Sequence, residues 1–504
     1  MPIDHERPTM NRYIDTRGNV SDALSFCEAI VEGIAPGGGL FVPQQIPSMS
    51  VEEICALAEL PYAQRAARVY RAFEVDVADD AIDSLMAGAY GPQFDDERIA
   101  PVVDLGDGIH VLELFHGPTS AFKDMALQCL PRFFEHATDK LREEGRLDHD
   151  HLILVATSGD TGKAALAGFC GVPGTRIIVF YPENGVSEVQ KKQMVSQAGA
   201  NVRVCAVRGN FDDTQTGVKE IFAAGLKENC GVRLSSANSI NIGRLAPQVV
   251  YYFKAYADLV KSGRISCGEK VDFVVPTGNF GDILAGYLAK RMGLPVGKLV
   301  CASNRNDVLT DFLRTGTYDR RRPFYQTISP SMDILVSSNL ERLLWLLTED
   351  EAEVAGYMRS LKENGCYTVS EELLSKLHGE FACGCCDDAQ TKETIGRVWE
   401  TEHYLMDTHT AVAWRVAESY QTDAPVVVLS TASPYKFPTA VLSAIGGDTS
   451  GTEFEVMFRL NELTGVPIPP NLARLQKLPV LHRDVIDREE MADYVQRSVA
   501  QWDE

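Results

Sequence analysis

The stretch V-V-P-T-G-N-F-G-D, Val274 to Asp282, closes an apolar β-branched run, turns on two glycines and leads into a helical pattern, Ile283 to Arg291. A strand that runs through a glycine turn into a helix is one βα unit. The same texture extends outward on both sides. Short apolar runs at Leu152 to Val155, Arg176 to Phe180, Asn201 to Val207, Val271 to Val275, Lys298 to Ala302 and Val426 to Leu429 read as strands. Helix-length segments such as Val186 to Ala198 and Thr214 to Lys227 lie between them, as parallel crossovers require. The fold class is therefore α/β, with open, mainly parallel sheets.

Residues 1–100 differ from the rest. They carry helical patterns at Val20 to Ile34 and Val51 to Phe73 around a turn-rich A-P-G-G-G-L-F-V-P, Ala35 to Pro43, and form an expected accessory domain. Residues 101–504 are expected to form two α/β lobes, the smaller over about 148–250, with a helical insertion over about 318–400. A net charge of -22 disfavours nucleic acid and anionic membranes as partners, so any anionic ligand needs a local pocket. Met1 to Gly18 is polar, no uncharged run reaches membrane length, and the expected location is the cytoplasm. Twelve cysteines over 504 residues are expected to be free thiols, and Cys383, Cys385 and Cys386 match no structural zinc spacing. No metal is expected.

Ligands of open α/β sheets bind at the carboxyl ends of the strands, and three turns there carry chemistry. In Val274 to Asp282 the glycines let the backbone approach an anion or take positive φ, and a helix N-terminus supplies unpaired N–H groups. The pattern is neither a dinucleotide fingerprint nor a Walker loop. V-A-T-S-G-D-T-G-K, Val155 to Lys163, is a second such turn, with Ser158 or Asp160 as the expected N-cap and N–H groups suited to a carboxylate. L-F-H-G-P-T-S-A-F-K-D, Leu114 to Asp124, places Lys123 at the start of an apolar helical row. Desolvation there would lower its pKa and make it an imine-forming nucleophile, although a lone lysine is ordinarily a solvated one.

These blocks, together with R-Y-I-D-T-R-G at Arg12 to Gly18, N-S-I-N at Asn238 to Asn241 and D-T-H-T-A at Asp407 to Ala411, resemble the bacterial and fungal threonine synthase family. The resemblance implies a fold-type-II, tryptophan synthase β-like enzyme with pyridoxal 5'-phosphate as cofactor. By that resemblance Lys123 holds the cofactor and shuttles protons. Gly278, Asn279, Phe280 and Gly281 form its phosphate loop with Asp282, and Thr431 stands against the pyridine nitrogen. Thr157, Ser158, Gly159, Asp160 and Thr161 meet the substrate carboxylate and cofactor face. Asn238, Ser239, Asn241 and Arg244 handle the substrate phosphate, with Pro247 in the first turn of the following helix. Two departures stand out: Ser433 where many relatives have histidine, and Lys163, a candidate second phosphate contact, where many have a small residue.

The implied reaction converts O-phosphohomoserine and water into threonine and phosphate, the last step of threonine biosynthesis, in a monomer or homodimer. A phospholyase giving 2-oxobutyrate, or a non-catalytic binding protein on the same fold, are the alternatives.

Overall fold

In the computed structural model, which describes residues 10–106, 108–226 and 231–503, the strand Val271–Pro276 lies inside the larger sheet with every residue buried. Its neighbours are Val426–Ser430, with Val428 opposite Val274, and Val296–Ser303, with Val300 opposite Val274. Outward on one side follow Ile109–Glu113 and the antiparallel edge Val102–Asp104, and on the other side Phe381–Cys385. A sheet covered on both faces suits such continuous apolar strands.

The second sheet runs in the order Asp484–Ile486, Val202–Val207, Thr175–Pro182, Asp150–Ala156, Val232–Ser235, and all its pairs are parallel. Its first strand comes from near the C-terminus and joins a sheet otherwise built from residues 150–235; three residues are too short to show a periodicity. The cysteine-rich F-A-C-G-C likewise forms an edge strand of the large sheet. It lies within the segment expected to be a helical insertion.

The helix Ile242–Lys261 is buried on almost every side and carries the molecule's centre. Tyr62, Ala66 and Tyr70 of the N-terminal helix Tyr62–Ala72 belong to the same core, and Arg65 bonds Asp258 at 2.6 Å. Pro247 is inside this helix rather than in its first turn, because Asn241 caps the helix five residues before Ala246. The hydrogen bond that proline cannot donate is the local cost.

Several boundaries move. The helix expected from Val20 begins at Phe26, where Ser25 and Glu28 form a capping box after Leu24 bridges to Tyr13. Val51 to Phe73 breaks at Pro61 into Val51–Ala56, a short turn, and Tyr62–Ala72. The crossover expected over Thr214 to Lys227 spans Phe211–Ala224, and Lys227, like residues 1–9 of the expected polar N-terminus, lies outside the described residues. One expectation is overturned: Cys55 and Cys267 form a disulfide across a sequence separation of 212. Packing of Val51–Ala56 beside the loop after Ile242–Lys261 brings the two thiols together, and a separation that long leaves no local signature.

Candidate active site

A cavity of about 1030 Å³ opens between the two sheets, at the carboxyl ends of Asp150–Ala156 and Val271–Pro276. Lys123 reaches it as the first residue of the short helix Lys123–Leu127, which follows the loop after Ile109–Glu113. That loop folds around the buried Asp124, which accepts the Thr119 N–H at 2.8 Å and the Thr119 hydroxyl at 2.7 Å. Gly117 is required there, because a Cβ would lie 2.4 Å from the Asp124 Cβ. Phe122 N–H donates to the Thr431 carbonyl at 2.8 Å, so the lysine's backbone is tied to the loop after Val426–Ser430. Burial lowers the Lys123 pKa to about 8, against the pull of Asp160 and with the help of Arg244 and Lys436.

In the S-G-D-T turn the hydroxyl of Thr157, not Ser158 or Asp160, organises the helix start by accepting the N–H groups of Gly159 and Gly162, each at 2.9 Å. Gly159 has φ 133° and lies against Gln190, where a Cβ would meet the amide at 2.4 Å. Thr157, Ser158, Asp160 and Thr161 line the cavity, whereas Gly159 is turned toward Gln190. Asp160 Oδ1 accepts Gln190 Nε2 and Lys436 Nζ, both at 2.7 Å. Burial opposes its ionisation, but Lys436 and Lys123 outweigh that and hold its pKa down at about 2.

In G-N-F-G-D the left-handed residue is Phe280, φ 62°, and not a glycine. Gly278 instead allows a close approach, since a Cβ would lie 2.8 Å from the Ser331 carbonyl. A Cβ on Gly281 would be 3.4 Å from Asn339 and 3.5 Å from Ser239, at ordinary contact on the cavity side. The Asn279 carbonyl accepts both the N–H of Asn339 at 3.0 Å and its Nδ2 at 3.1 Å, which fixes the turn. Asp282 opens the helix Gly281–Arg291; its Oδ1 accepts Tyr251 at 2.6 Å and Tyr252 at 2.9 Å, and burial raises its pKa to about 6. Thr431 lines the same cavity.

Asn238, Ser239 and Arg244 also line it. Asn241 does not: its amide donates to the Ile30 and Ser236 carbonyls and its oxygen caps Gly243. Arg244 is buried and donates Nη1 to the Ala237 carbonyl at 2.7 Å, while its Nε and the Asn238 Oδ1 are buried without a partner among the described residues. Burial lowers its pKa to about 10. Lys163 does not face the cavity; its ammonium donates to Gln197 at 2.5 Å. Ser433 accepts the Tyr435 N–H at 3.3 Å in a turn behind the site.

Two residues of the site were not singled out from the sequence. Lys436 is fully buried, and its signal was an isolated lysine among aromatic residues just past a strand, the same kind of signal that marks Lys123. His409 lines the cavity; Nε2 accepts the Ser331 N–H at 3.1 Å, so Nδ1 donates to Asp407 at 2.6 Å. It holds the lip that packs on Gly278. Its block was visible in D-T-H-T-A, but the contact depends on residues 78 positions apart.

An amine with a lowered pKa, a glycine turn feeding a helix N-terminus, a hydroxyl at Thr431 and an arginine with an unpartnered Nε suit pyridoxal phosphate together with an anionic amino acid. Three family descriptions match the chain: "Threonine synthase N terminus" over 12–90, "Pyridoxal-phosphate dependent enzyme" over 97–432 and "Threonine synthase, C-terminal" over 410–497. The human protein named threonine synthase-like 1 is 40% identical over 92% of the chain, which spans 64% of that relative's length. The Pseudomonas aeruginosa threonine synthase is 41% identical, over 94% of the chain and 98% of its own. The crystal structure of pyridoxal-phosphate-bound threonine synthase from Brucella melitensis superposes with a TM-score of 0.85 at 38% identity, covering 98% of the chain and 99% of that structure. No described helix is long and apolar enough to cross a membrane.

Proposed function

Because the chain belongs to the threonine synthase family of pyridoxal-phosphate enzymes, we propose that it converts O-phosphohomoserine and water into threonine and phosphate, the last step of threonine biosynthesis in the cytoplasm. The observation that carries this reading is the presence, in the lining of one cavity, of an amine near neutrality, Lys123, and a buried arginine, Arg244, whose Nε has no partner among the described residues. An amino acid that bears a phosphate requires both.

The N–H groups of Gly278 to Asp282 and the helix behind them would hold the cofactor phosphate, and the Thr431 hydroxyl would stand against the ring nitrogen. Pyridoxal phosphate, when bound, would supply the electron sink for negative charge developing on the substrate's α- and β-carbons as the γ-phosphate leaves. Lys123 Nζ takes the α-proton and returns protons along the same face; a pKa of about 8 leaves a useful fraction of free amine at neutral pH. The helix start at Ser158 to Thr161 offers N–H groups to the substrate carboxylate, and Arg244 with Asn238 holds the phosphate that leaves.

The test is an absorbance spectrum of the cofactor-loaded protein with and without O-phosphohomoserine, followed by identification of the product. Threonine with equimolar phosphate is the expected result. 2-Oxobutyrate with equimolar phosphate would make the protein a phospholyase. An unchanged spectrum with no phosphate released would remove this substrate altogether.

A further inference from the structure

Three loops that leave three different strands meet on one side chain that the mechanism above does not use. Lys436 ends the short turn Pro434–Lys436 past the strand Val426–Ser430, and its ammonium is fully buried. It donates to Asp160 at 2.7 Å, in the turn after Asp150–Ala156, and to the Thr119 carbonyl at 3.1 Å, in the loop after Ile109–Glu113. Both partners sit beside site residues. Asp160 opens the helix whose N–H groups face the cavity, and Thr119 holds the carboxylate of Asp124, next to Lys123. Gln190 and Gln193, neighbours on one helix, donate to the same two acceptors at 2.7 Å and 3.2 Å.

An ammonium taken out of water is costly, and a buried ion pair is weak grounds for stability, since apolar side chains can fill such a volume as well or better. The charge therefore needs a use. Asp160 stands in the very turn that is to receive an amino-acid carboxylate, and an uncompensated anion there would repel it. With Lys436 against it, the turn presents its N–H groups at no net charge.

We propose that Lys436 is a positioning residue, which cancels the charge of Asp160 so that the turn accepts the substrate carboxylate, and which fixes that turn against the segment carrying Lys123. This rests on the proposed function for the identity of the carboxylate. The charged groups facing Lys123 are Asp160 from the opposite turn, Lys436, Arg244 from the central helix and Asp282 from the glycine turn. Without Lys436, Arg244 alone opposes the attraction of Asp160 for a proton on the Lys123 nitrogen, so the protonated form persists to higher pH.

The experiment uses the cofactor-loaded enzyme and the variants K436Q and K436R. In the absence of substrate, the pH midpoint of the bound cofactor's visible band is expected to rise by about one unit or more in K436Q. The KM for O-phosphohomoserine is expected to rise about tenfold, with a smaller loss in kcat, as for removal of ground-state binding. K436R, which keeps the charge, is expected to bring both back toward wild type. A K436Q enzyme that holds cofactor with an unshifted midpoint overturns the proposal, and so does full recovery by K436M, which fills the volume without charge. If K436Q fails to hold cofactor, D160N decides with the opposite sign: its midpoint must fall, and an unmoved or raised midpoint overturns the proposal. Should the wild type make no threonine, the proposed function fails, while the substrate-free midpoint still decides about Lys436.

Discussion

An amine that must both bond a carbonyl and exchange protons needs a pKa within reach of neutrality, and burial brings Lys123 there against the attraction of Asp160. Lys123→Ala should therefore abolish turnover and the visible band, leaving at most cofactor that is released on denaturation. Borohydride reduction of the wild type followed by peptide mapping checks the assignment, and a label on another lysine would refute it. Arg244 poses the complementary question. A buried guanidinium whose Nε has no partner among the described residues is costly to desolvate, and under the proposed function the substrate's dianion would offset that cost. Arg244→Ala should keep the visible band and lose about 100-fold in kcat/KM for O-phosphohomoserine, the scale of one or two charge-assisted hydrogen bonds. It should lose much less with a substrate that lacks the phosphate. Equal losses on both substrates would mean that Arg244 only braces the Ala237 carbonyl.

At the scale of elements, the two glycines of the turn proposed to hold the cofactor phosphate differ in what they are for. A Cβ on Gly278 would press on the backbone of Ser331, so Gly278→Ala must shift the lip that His409 holds. It should lower the melting temperature of the cofactor-free protein as well as weaken cofactor binding. Gly281 has space for a Cβ, on the side of Ser239 and the cavity. Gly281→Val should leave the cofactor-free melting temperature nearly unchanged and still weaken cofactor affinity about tenfold or more, by standing where the phosphate approaches. Calorimetry on the cofactor-free protein and cofactor titration by fluorescence separate the two. If Gly281→Val binds cofactor as the wild type does, the turn is structural only. This distinction was only half legible in the sequence. The strand, the turn and the helix could be read from V-V-P-T-G-N-F-G-D, but positive φ was expected at a glycine and belongs to Phe280. Local composition gives the kind of turn, whereas its packing is completed by Ser331 against Gly278 and Asn339 on the Asn279 carbonyl, which come from 50 to 60 positions away.

Across the whole molecule the same division holds. Most interior strands were readable because each is mainly apolar and β-branched, whereas Asp484–Ile486 and Phe381–Cys385 reach their sheets' edges through tertiary contacts that leave no pattern. The link between Cys55 and Cys267 is the extreme case, because nothing near either cysteine points to the other. It joins the N-terminal helix Val51–Ala56 to the loop that precedes the central strand, and neither cysteine lines the cavity. Closing so long a loop restricts the unfolded chain, and the stabilisation expected is about 2–4 kcal/mol. The double variant Cys55→Ser, Cys267→Ser should therefore melt below the wild type while keeping its visible band and kcat, since the cavity walls are untouched. Dithiothreitol should bring the wild type down to the variant's melting temperature and leave the variant where it is. Equal melting temperatures for both proteins without reductant would show that the two thiols stay reduced in the purified protein. In that event the N-terminal helices are held by Tyr62, Ala66 and Tyr70 against the central helix, and by the Arg65 to Asp258 ion pair, with no covalent tie.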